Sequence, residues 1–286
     1  MLFLALAIAS SLAIGAMFKF AGQAGLDTLT LLVVNYAVAA GMGLLLLVAD
    51  DAASSADYFQ PGFLGLVAVT GLVLIGSFFL FAEATRRAGM SVSMAVMRVG
   101  VSIPFLVSWL AWREEPSSAQ WIGFMLVLFA LIFITRKPSE EGGTVEVASA
   151  AGLLVLLFVG GGAGDTLVKA FDVWFAGELP GHAFMGGAFL VSFLAGASLM
   201  LARRDCVKDS RAARWGLVLG VVNYASILFV LEAVARIPAT VVFPTVSVSV
   251  VVGGALIGLL VWKERLSPVN MAGIALAAAA VVLLNG

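Results

Sequence analysis

The sequence is poor in charge, cysteine and histidine, and each shortage excludes a class of protein. Only 12% of its 286 residues are charged, whereas soluble domains carry about 25%. The net charge of −1 offers no basic surface to nucleic acid. One cysteine, Cys206, cannot form a disulfide within the chain, and one histidine, His182, adds too little for a metal site. We therefore predict no metal, no cofactor and no nucleic-acid partner.

Long apolar stretches are abundant instead. The chain is 62% hydrophobic, and its mean hydropathy is +1.10. A bilayer core about 30 Å thick is crossed by a helix of about 20 apolar residues, and helices satisfy their own backbone groups in lipid. The start, MLFLALAIAS, has no basic residue before its apolar run, so we expect this stretch to be retained. The pattern predicts an all-α integral membrane protein with ten transmembrane helices near residues 2–20, 28–48, 62–84, 89–112, 119–135, 151–171, 183–202, 214–234, 239–262 and 268–285.

An internal repeat divides these ten stretches into two sets of five. Residues 112–123, WREEPSSAQWIG, match residues 262–273, WKERLSPVNMAG, at an offset of 150, and Lys19 and Lys169 share that offset. The pair Glu83-Ala84 matches Glu232-Ala233 at 149. We predict that residues 1–148 and 149–286 are two copies of a five-helix unit. Because five is odd, the second copy enters the membrane in the opposite sense, as in the inverted-topology repeats of secondary transporters.

Basic residues are distributed unequally between the two ends of the predicted helices. Of the sixteen Lys and Arg residues, twelve lie at one end, three lie at the end that holds both termini, and Arg98 lies inside a helix. Because cytoplasmic loops are enriched in Lys and Arg, the termini are predicted to lie outside. The predicted location is the inner cell membrane of a prokaryote, as a multi-pass protein.

The segment WKERLSP, placed before the last helix of a five-plus-five chain of this length, resembles the EamA type of the drug/metabolite transporter superfamily. Lys263–Ser267 and Gly273 follow the family's pattern, whereas the first copy has Glu115 and Pro116 where the pattern has Arg-Leu. The resemblance covers the whole chain and implies the ten-helix fold and transport. It also implies cytoplasmic termini, against the charge count, which we follow.

Two ionisable residues lie well inside the predicted helices. At about 1.5 Å per residue, Arg98 lies about 14 Å and Asp165 about 21 Å from the basic side, so a long arginine side chain could reach the carboxylate. One interpretation is an ion pair that fixes helix packing. The other is that Arg98 binds an anionic group of the substrate, since intramembrane ionisable residues mark transport pathways. Arginine does not release its proton, so Asp165 is the candidate for proton coupling.

The glycine-rich stretch VGGGAGDTLVKAF, residues 159–171, surrounds Asp165. Its glycines allow another helix to approach closely, or they permit a break in the helix at a binding site. Lys169 is four residues from Asp165 and shares its helix face. We therefore name Asp165 and Lys169 as ion-pair or proton-coupling residues, with a lysine that extends to the interface as the alternative for Lys169.

Neutral polar residues fall in the same middle layer of the predicted helices. We predict that they contribute hydrogen bonds to substrate, with helix-to-helix hydrogen bonds as the alternative for the asparagines. The repeated pair Asn-Tyr occurs in the second and eighth helices, which are not equivalent in the repeat, so we attach no meaning to it. The substrate-binding candidates are Arg98, Asn35, Asn223, Tyr224 and Ser247.

Proline and glycine predict bends in two helices. Pro104 removes a backbone hydrogen bond to Gly100 and should kink the fourth helix just beyond Arg98. Pro244 should do the same early in the ninth helix. The glutamates at helix ends, Glu114 among them, are expected in solvated or interfacial ion pairs.

We predict a secondary or facilitative transporter, not an enzyme, for a small carboxylate-bearing metabolite such as an amino acid or organic acid. Its partners would be this substrate and membrane lipid, and the oligomeric state is left open, a monomer included. The alternatives are a polytopic membrane enzyme and a lipid scramblase or sensor. The enzyme would need a cluster of acid/base groups at a membrane edge, and the scramblase or sensor would need no arginine at mid-depth.

Overall fold

The computed structural model describes residues 1–49, 57–88, 90–135, 151–203, 209–261 and 267–285. Within these ranges the chain is helical, with one short 3₁₀ helix, Asp57–Phe59, and no β-strand. The helices are α1 (Leu2–Gln23), α2 (Thr28–Ala49), α3 (Pro61–Ala88), α4 (Met90–Val99), α5 (Ser102–Leu110), α6 (Ser118–Thr135), α7 (Ala151–Trp174), α8 (Gly181–Ala202), α9 (Ser210–Val234), α10 (Ala239–Val261) and α11 (Pro268–Asn285).

Eight of the described helices are long and apolar enough to cross a membrane, namely α1, α2, α3 and α7 to α11. Two shorter apolar segments, Val96–Leu110 and Ser118–Phe133, account for the other two predicted stretches. The described residues are all-helical, and their long apolar helices are compatible with the predicted all-α, multi-pass membrane protein. Ten spans are not confirmed, because the fourth predicted stretch is divided between α4 and α5 and the apolar part of α6 is short.

Polar side chains mark several helix starts, because the first backbone N–H groups of a helix lack partners within it. Asp27 accepts a hydrogen bond from the Thr30 N–H at 2.7 Å at the start of α2. Asp209 accepts from the N–H groups of Arg211 and Ala212, at 2.9 and 3.2 Å, at the start of α9. These bonds, first that from Ala212, hold the pKa of the Asp209 carboxyl below its usual value.

The chain forms two compact units, each built from two separate segments. Unit 1 comprises Met1–Ile75 and Ala170–Ala235, and unit 2 comprises Gly76–Lys169 and Arg236–Gly286. Each unit takes helices from both halves of the sequence, so the units do not coincide with the predicted domains 1–148 and 149–286. Two of the three boundaries between the units fall inside α3 and α7, and the third falls between α9 and α10.

Small residues bring the helices of unit 1 into backbone contact. A Cβ atom placed on Gly43 of α2 would lie 2.8 Å from the backbone nitrogen of Gly186 in α8. A Cβ atom on Gly220 of α9 would lie 2.7 Å from the carbonyl oxygen of Asn35 in α2. Close approach of this kind is how helices pack in lipid, where van der Waals contact replaces the hydrophobic effect.

Unit 2 contains an antiparallel pair formed by α6 and α11. Near the end of α6, the carbonyl of Phe133 accepts a hydrogen bond of 3.0 Å from Asn270 Nδ2, at the start of α11. Near the start of α6, Gln120 Nε2 donates to the carbonyl of Leu284, at the end of α11, at 3.5 Å. Opposite ends of the two helices therefore meet.

Candidate functional site

Arg98 is the second-last residue of α4 and directly precedes a break in the helix. Helix α4 ends at Val99 and α5 begins at Ser102. The Val101 N–H donates to the carbonyl of Arg98 at 3.2 Å, a bond that spans three residues and not the four of an α-helix. The backbone regularity is therefore lost beside the arginine.

Pro104 explains where this break falls. In a regular helix the N–H of residue 104 would donate to the carbonyl of Gly100, and proline has no N–H. The Ile103 N–H donates to Gly100 in its place, at 2.9 Å. The interruption thus lies between Arg98 and Pro104, with Gly100 at its centre.

The glycines of α7 pack against this break. A Cβ atom on Gly162 would lie 2.7 Å from Cβ of Ile103 and even closer to the Gly100 carbonyl, and one on Gly161 would lie 2.7 Å from the Met97 carbonyl. Helix α7 itself continues without interruption from Ala151 to Trp174. Of the two predicted uses of this glycine stretch, the structure therefore has close packing, and the broken helix is the neighbouring one.

Arg98 and Asp165 of unit 2 are close enough for their charges to interact, but they form no direct ion pair. Each is the charged group that acts on the other, yet no guanidinium nitrogen lies within the 4.0 Å of a direct ion pair. Nε of Arg98 is buried and has no hydrogen-bond partner. Both residues have intermediate exposure as whole residues.

Lys169 pairs with Glu114, a partner that the sequence did not suggest. The Nζ atom lies 3.2 Å from Glu114 Oε1, and the two side chains are only 10% and 15% exposed. The carboxylate of Glu114 also accepts hydrogen bonds from the backbone N–H groups of Ala239 and Thr240, at 3.1 and 3.0 Å, at the start of α10. It therefore complements the positive end of that helix as well as a buried cation.

Glu114 does form an ion pair, as expected, but the pair is enclosed and not solvated, and three donors satisfy the carboxylate. Extension of Lys169 toward the interface is also not what the structure has, because the residue is only 8% exposed. The repeat contained a signal for this pairing, because each partner has a counterpart 150 residues away. Glu114 corresponds to Glu264, and Lys169 corresponds to Lys19. Glu264 lies outside the described residues.

Asn35 and Asn223 meet in unit 1. Asn223 Nδ2 donates to Asn35 Oδ1 at 3.2 Å, which joins α9 to α2. The asparagines of the two Asn-Tyr pairs are therefore in contact. Helices α2 and α9 are neighbours in unit 1 although their positions are not equivalent in the repeat.

Asn35 and Tyr224 each have one buried polar atom that lacks a hydrogen-bond partner among the described residues. The Nδ2 atom of Asn35 and the hydroxyl of Tyr224 are buried without a hydrogen bond. The Tyr224 ring lies 6.4 Å from that of Phe189, and the residue is 1% exposed. Buried polar groups are nearly always hydrogen-bonded, so these two donors are notable.

The remaining predicted residues belong to α10 in unit 2. Ser247 is 6% exposed. Pro244 lies inside a helix that the structure describes as continuous over Ala239–Val261. The structure thus brings together Arg98 with Asp165 in unit 2 and Asn35 with Asn223 in unit 1. Among the residues it describes, no three His, Cys, Asp or Glu side chains lie close enough to hold a metal ion.

Comparison with known proteins supports the fold and does not identify a function. No family model matches the chain. The chain is 29% identical over 293 aligned residues to an uncharacterized protein of Haemophilus influenzae, and the alignment covers 97% of this chain and 95% of that protein. A crystal structure of another protein is similar with a TM-score of 0.79 at 14% identity, over 99% of this chain and 94% of the other. At that identity the likeness concerns the fold alone.

Proposed function

We propose that this protein is a secondary transporter of the drug/metabolite type, which moves a small carboxylate-bearing metabolite through the membrane by alternating access. The observation that carries the proposal is Arg98. Its Nε is buried without a hydrogen-bond partner, and it forms no direct ion pair with Asp165. Placing a guanidinium in a membrane-spanning region costs at least about 3 kcal/mol. Such a residue is usually retained because it has a function there.

The chemistry of Arg98 fits a carboxylate. A guanidinium presents N–H donors in a fixed fork that matches the two oxygens of a carboxylate. It keeps its charge at any ordinary pH, so it binds an anion without also acting as the proton carrier. Asp165 balances this charge when the site is empty and is the group we propose for coupling to protons.

Neutral groups complete the proposed transport path. In unit 1, the Nδ2 of Asn35 and the hydroxyl of Tyr224 are donors without partners, and Asn223 holds Asn35 in place through their hydrogen bond. In unit 2, Ser247 supplies a buried hydroxyl. We propose that Ser247, which lies in the same unit as Arg98, hydrogen-bonds an uncharged part of the cargo, and that Asn35, Asn223 and Tyr224 contact the cargo within unit 1.

We also propose that the ten stretches form an inverted repeat of residues 1–148 and 149–286. Two equivalent helix starts support it. Ser117 and Gln120 exchange hydrogen bonds of 2.9 and 3.2 Å before α6. Ser267 and Asn270 do the same at 2.9 and 3.2 Å before α11, at the offset of 150. Reciprocal caps of this kind fix where a helix begins.

The location follows from the same proposal. Both termini would lie outside the inner cell membrane, as the Lys and Arg distribution favours, and similarity to a bacterial protein supports a prokaryotic membrane. A reporter that is active only in the cytoplasm, fused to the C-terminus, should be inactive. Activity of that fusion would reverse the orientation.

The proposed function is tested with purified protein. A panel of carboxylate metabolites is screened for stabilisation by thermal shift, and the best compound is then followed into proteoliposomes. We expect binding and uptake by the wild type, loss of both in Arg98→Gln, and partial retention in Arg98→Lys. The proposal fails if no carboxylate compound stabilises the wild type, or if Arg98→Gln responds identically.

A further inference from the structure

We infer that Glu114 is a releasable clasp, which holds the end of α7 to the start of α10 in one state of unit 2 and lets them separate in another. Its use in transport rests on the proposed function, whereas its release is a property of unit 2 alone. The carboxylate is carried by the connection between α5 and α6, residues 111–117. Lys169 ends one segment of unit 2, and Arg236 begins the other, just before Ala239. One side chain therefore joins both segments where the chain leaves unit 2 and returns to it.

Three donors on two helices hold the carboxylate in the closed clasp. Lys169 Nζ lies 3.2 Å from Oε1. The Ala239 N–H donates to the same oxygen at 3.1 Å, and the Thr240 N–H donates to Oε2 at 3.0 Å. A helix start leaves such N–H groups without partners inside the helix. Because the acceptor belongs to neither α7 nor α10, a small movement of the connection would break all three contacts together.

Arg113, the residue before the carboxylate, has a strained backbone. Its φ of 55° lies in the left-handed region, where the Cβ atom of a residue other than glycine is unfavourably placed. The residue is exposed, so burial of its side chain does not offset the cost. The Glu114 N–H donates to the carbonyl of Ser108 at 3.1 Å and holds this turn in place. The closed clasp therefore stores backbone strain that its opening would release.

The charges of the clasp can separate because both side chains retain some exposed surface, 15% for Glu114 and 10% for Lys169. The attraction within a buried ion pair is largely offset by the cost of removing both ions from water. Both ions regain hydration when they part. Attraction and capping thus favour the closed form, whereas hydration and relief of strain favour the open form. Opposing contributions of this kind give two states between which a ligand can shift the population.

The clasp joins the two helices of unit 2 that carry proposed cargo groups. Helix α7 contains Asp165, and α10 contains Ser247. Alternating access requires contacts that hold one state and break in the other. Glu114 is therefore a positioning residue, which acts on the cargo through the spacing of these two helices.

The test measures how often the start of α10 becomes accessible. Because Cys206 is the only cysteine of the chain, Cys206→Ser provides a full-length background without thiols. Thr240→Cys places a thiol in the clasp, at a residue that is 1% exposed, and Ala130→Cys places one in α6, at a residue that is 0% exposed. Each purified protein is treated with N-ethylmaleimide in detergent at fixed pH, and labelling is followed by mass spectrometry. We expect Thr240→Cys to react at least about tenfold faster than Ala130→Cys, because local opening costs less than global unfolding.

Two substitutions of Arg113 separate a releasable clasp from a permanent contact. Arg113→Gly removes the strain of the closed form and should slow labelling of Thr240→Cys by at least about threefold, since this relief exceeds the freedom that glycine adds to the open connection. Arg113→Ala removes the guanidinium and keeps the strain, so it is the matched control and should leave the rate unchanged. Lys169→Gln removes the cation and should accelerate labelling by at least about fivefold. Ala130→Cys should respond to none of these changes.

Equal labelling of Thr240→Cys and Ala130→Cys would overturn the inference, because the clasp would then open only when the protein unfolds. Equal rates for Arg113→Gly and Arg113→Ala would also overturn it, because the strain would then have no effect on opening. These two results decide the matter even if Lys169→Gln does not fold.

The cargo experiment separates this inference from the proposed function. A carboxylate compound that stabilises the wild type and requires Arg98 should change the labelling rate of Thr240→Cys by at least about threefold. An unchanged rate would overturn the use of the clasp in transport and leave the transporter proposal standing. If no carboxylate compound binds, the proposed function fails, and the labelling rates still decide whether the clasp releases.

Discussion

Replacing Gly162 by alanine tests the packing that positions Arg98. The added methyl group would meet Cβ of Ile103 at 2.7 Å and press on the carbonyl of Gly100, both in the broken segment of the fourth stretch. These atoms belong to backbone or lie next to it, so they cannot rotate away. Overpacking of this kind costs about 1–3 kcal/mol, which exceeds the gain of up to about 1 kcal/mol from replacing a helical glycine by alanine.

Gly164→Ala is the matched control, because it lies in the same helix and has nothing within 4 Å of the new atom. It gains helix propensity without the clash, so it should be neutral or stabilising by up to about 1 kcal/mol. We expect the melting temperature of Gly162→Ala to fall below that of Gly164→Ala by at least about 2 °C. The measurement is thermal unfolding in detergent at a fixed scan rate, since membrane proteins often unfold irreversibly. Equal melting temperatures would refute the contact between α7 and the break.

Three further predictions address other contacts. Glu114→Gln removes the anion that lies 3.2 Å from the Lys169 ammonium and should destabilise the protein by about 3–5 kcal/mol. The double variant with Lys169→Gln should recover part of this loss, and strict additivity would contradict the pair. Asn35→Ala and Asn223→Ala should show a coupling of about 0.5–1.5 kcal/mol in a double-mutant cycle of unfolding, and a coupling of zero would mean that the two amides do not bond. Asp209 has a lowered pKa in the folded protein. The stabilisation by its carboxylate is therefore present above about pH 4 and is lost as the pH falls through the folded pKa. The melting-temperature difference between wild type and Asp209→Asn should shrink on acidification, and a difference that grows would contradict the lowered pKa.

The hydropathy pattern predicted most helices to within a few residues, and the exceptions have local causes. Helix α9 begins at Ser210, four residues before the predicted start, because Asp209 caps it and its first turn is polar. A pattern based on apolar residues does not register a polar first turn. The fourth stretch is the other exception, since the pattern shows continuous apolarity where Pro104 and Gly100 interrupt the backbone hydrogen bonds.

The site was predictable in its residues and not in its pairings. Sequence alone singled out Arg98 and Asp165, because ionisable residues are rare in apolar helices. It did not predict that Lys169 pairs with Glu114 or that Asn223 bonds Asn35. The two asparagines are 188 positions apart in the sequence. Hydrophobic periodicity shows which residues belong to a helix. In a helix that is hydrophobic on all sides, it does not show which face packs against which neighbour.

The two units are completed at different points of translation. Unit 1 needs nothing beyond Ala235, whereas unit 2 needs the final segment, Arg236–Gly286. Glu114 accepts from the Ala239 N–H, which lies 125 residues further along the chain, so for most of translation this carboxylate is without the helix it caps. A released, truncated chain that ends at residue 235 should therefore contain a protease-resistant unit 1, and unit 2 should become resistant only in the full-length chain.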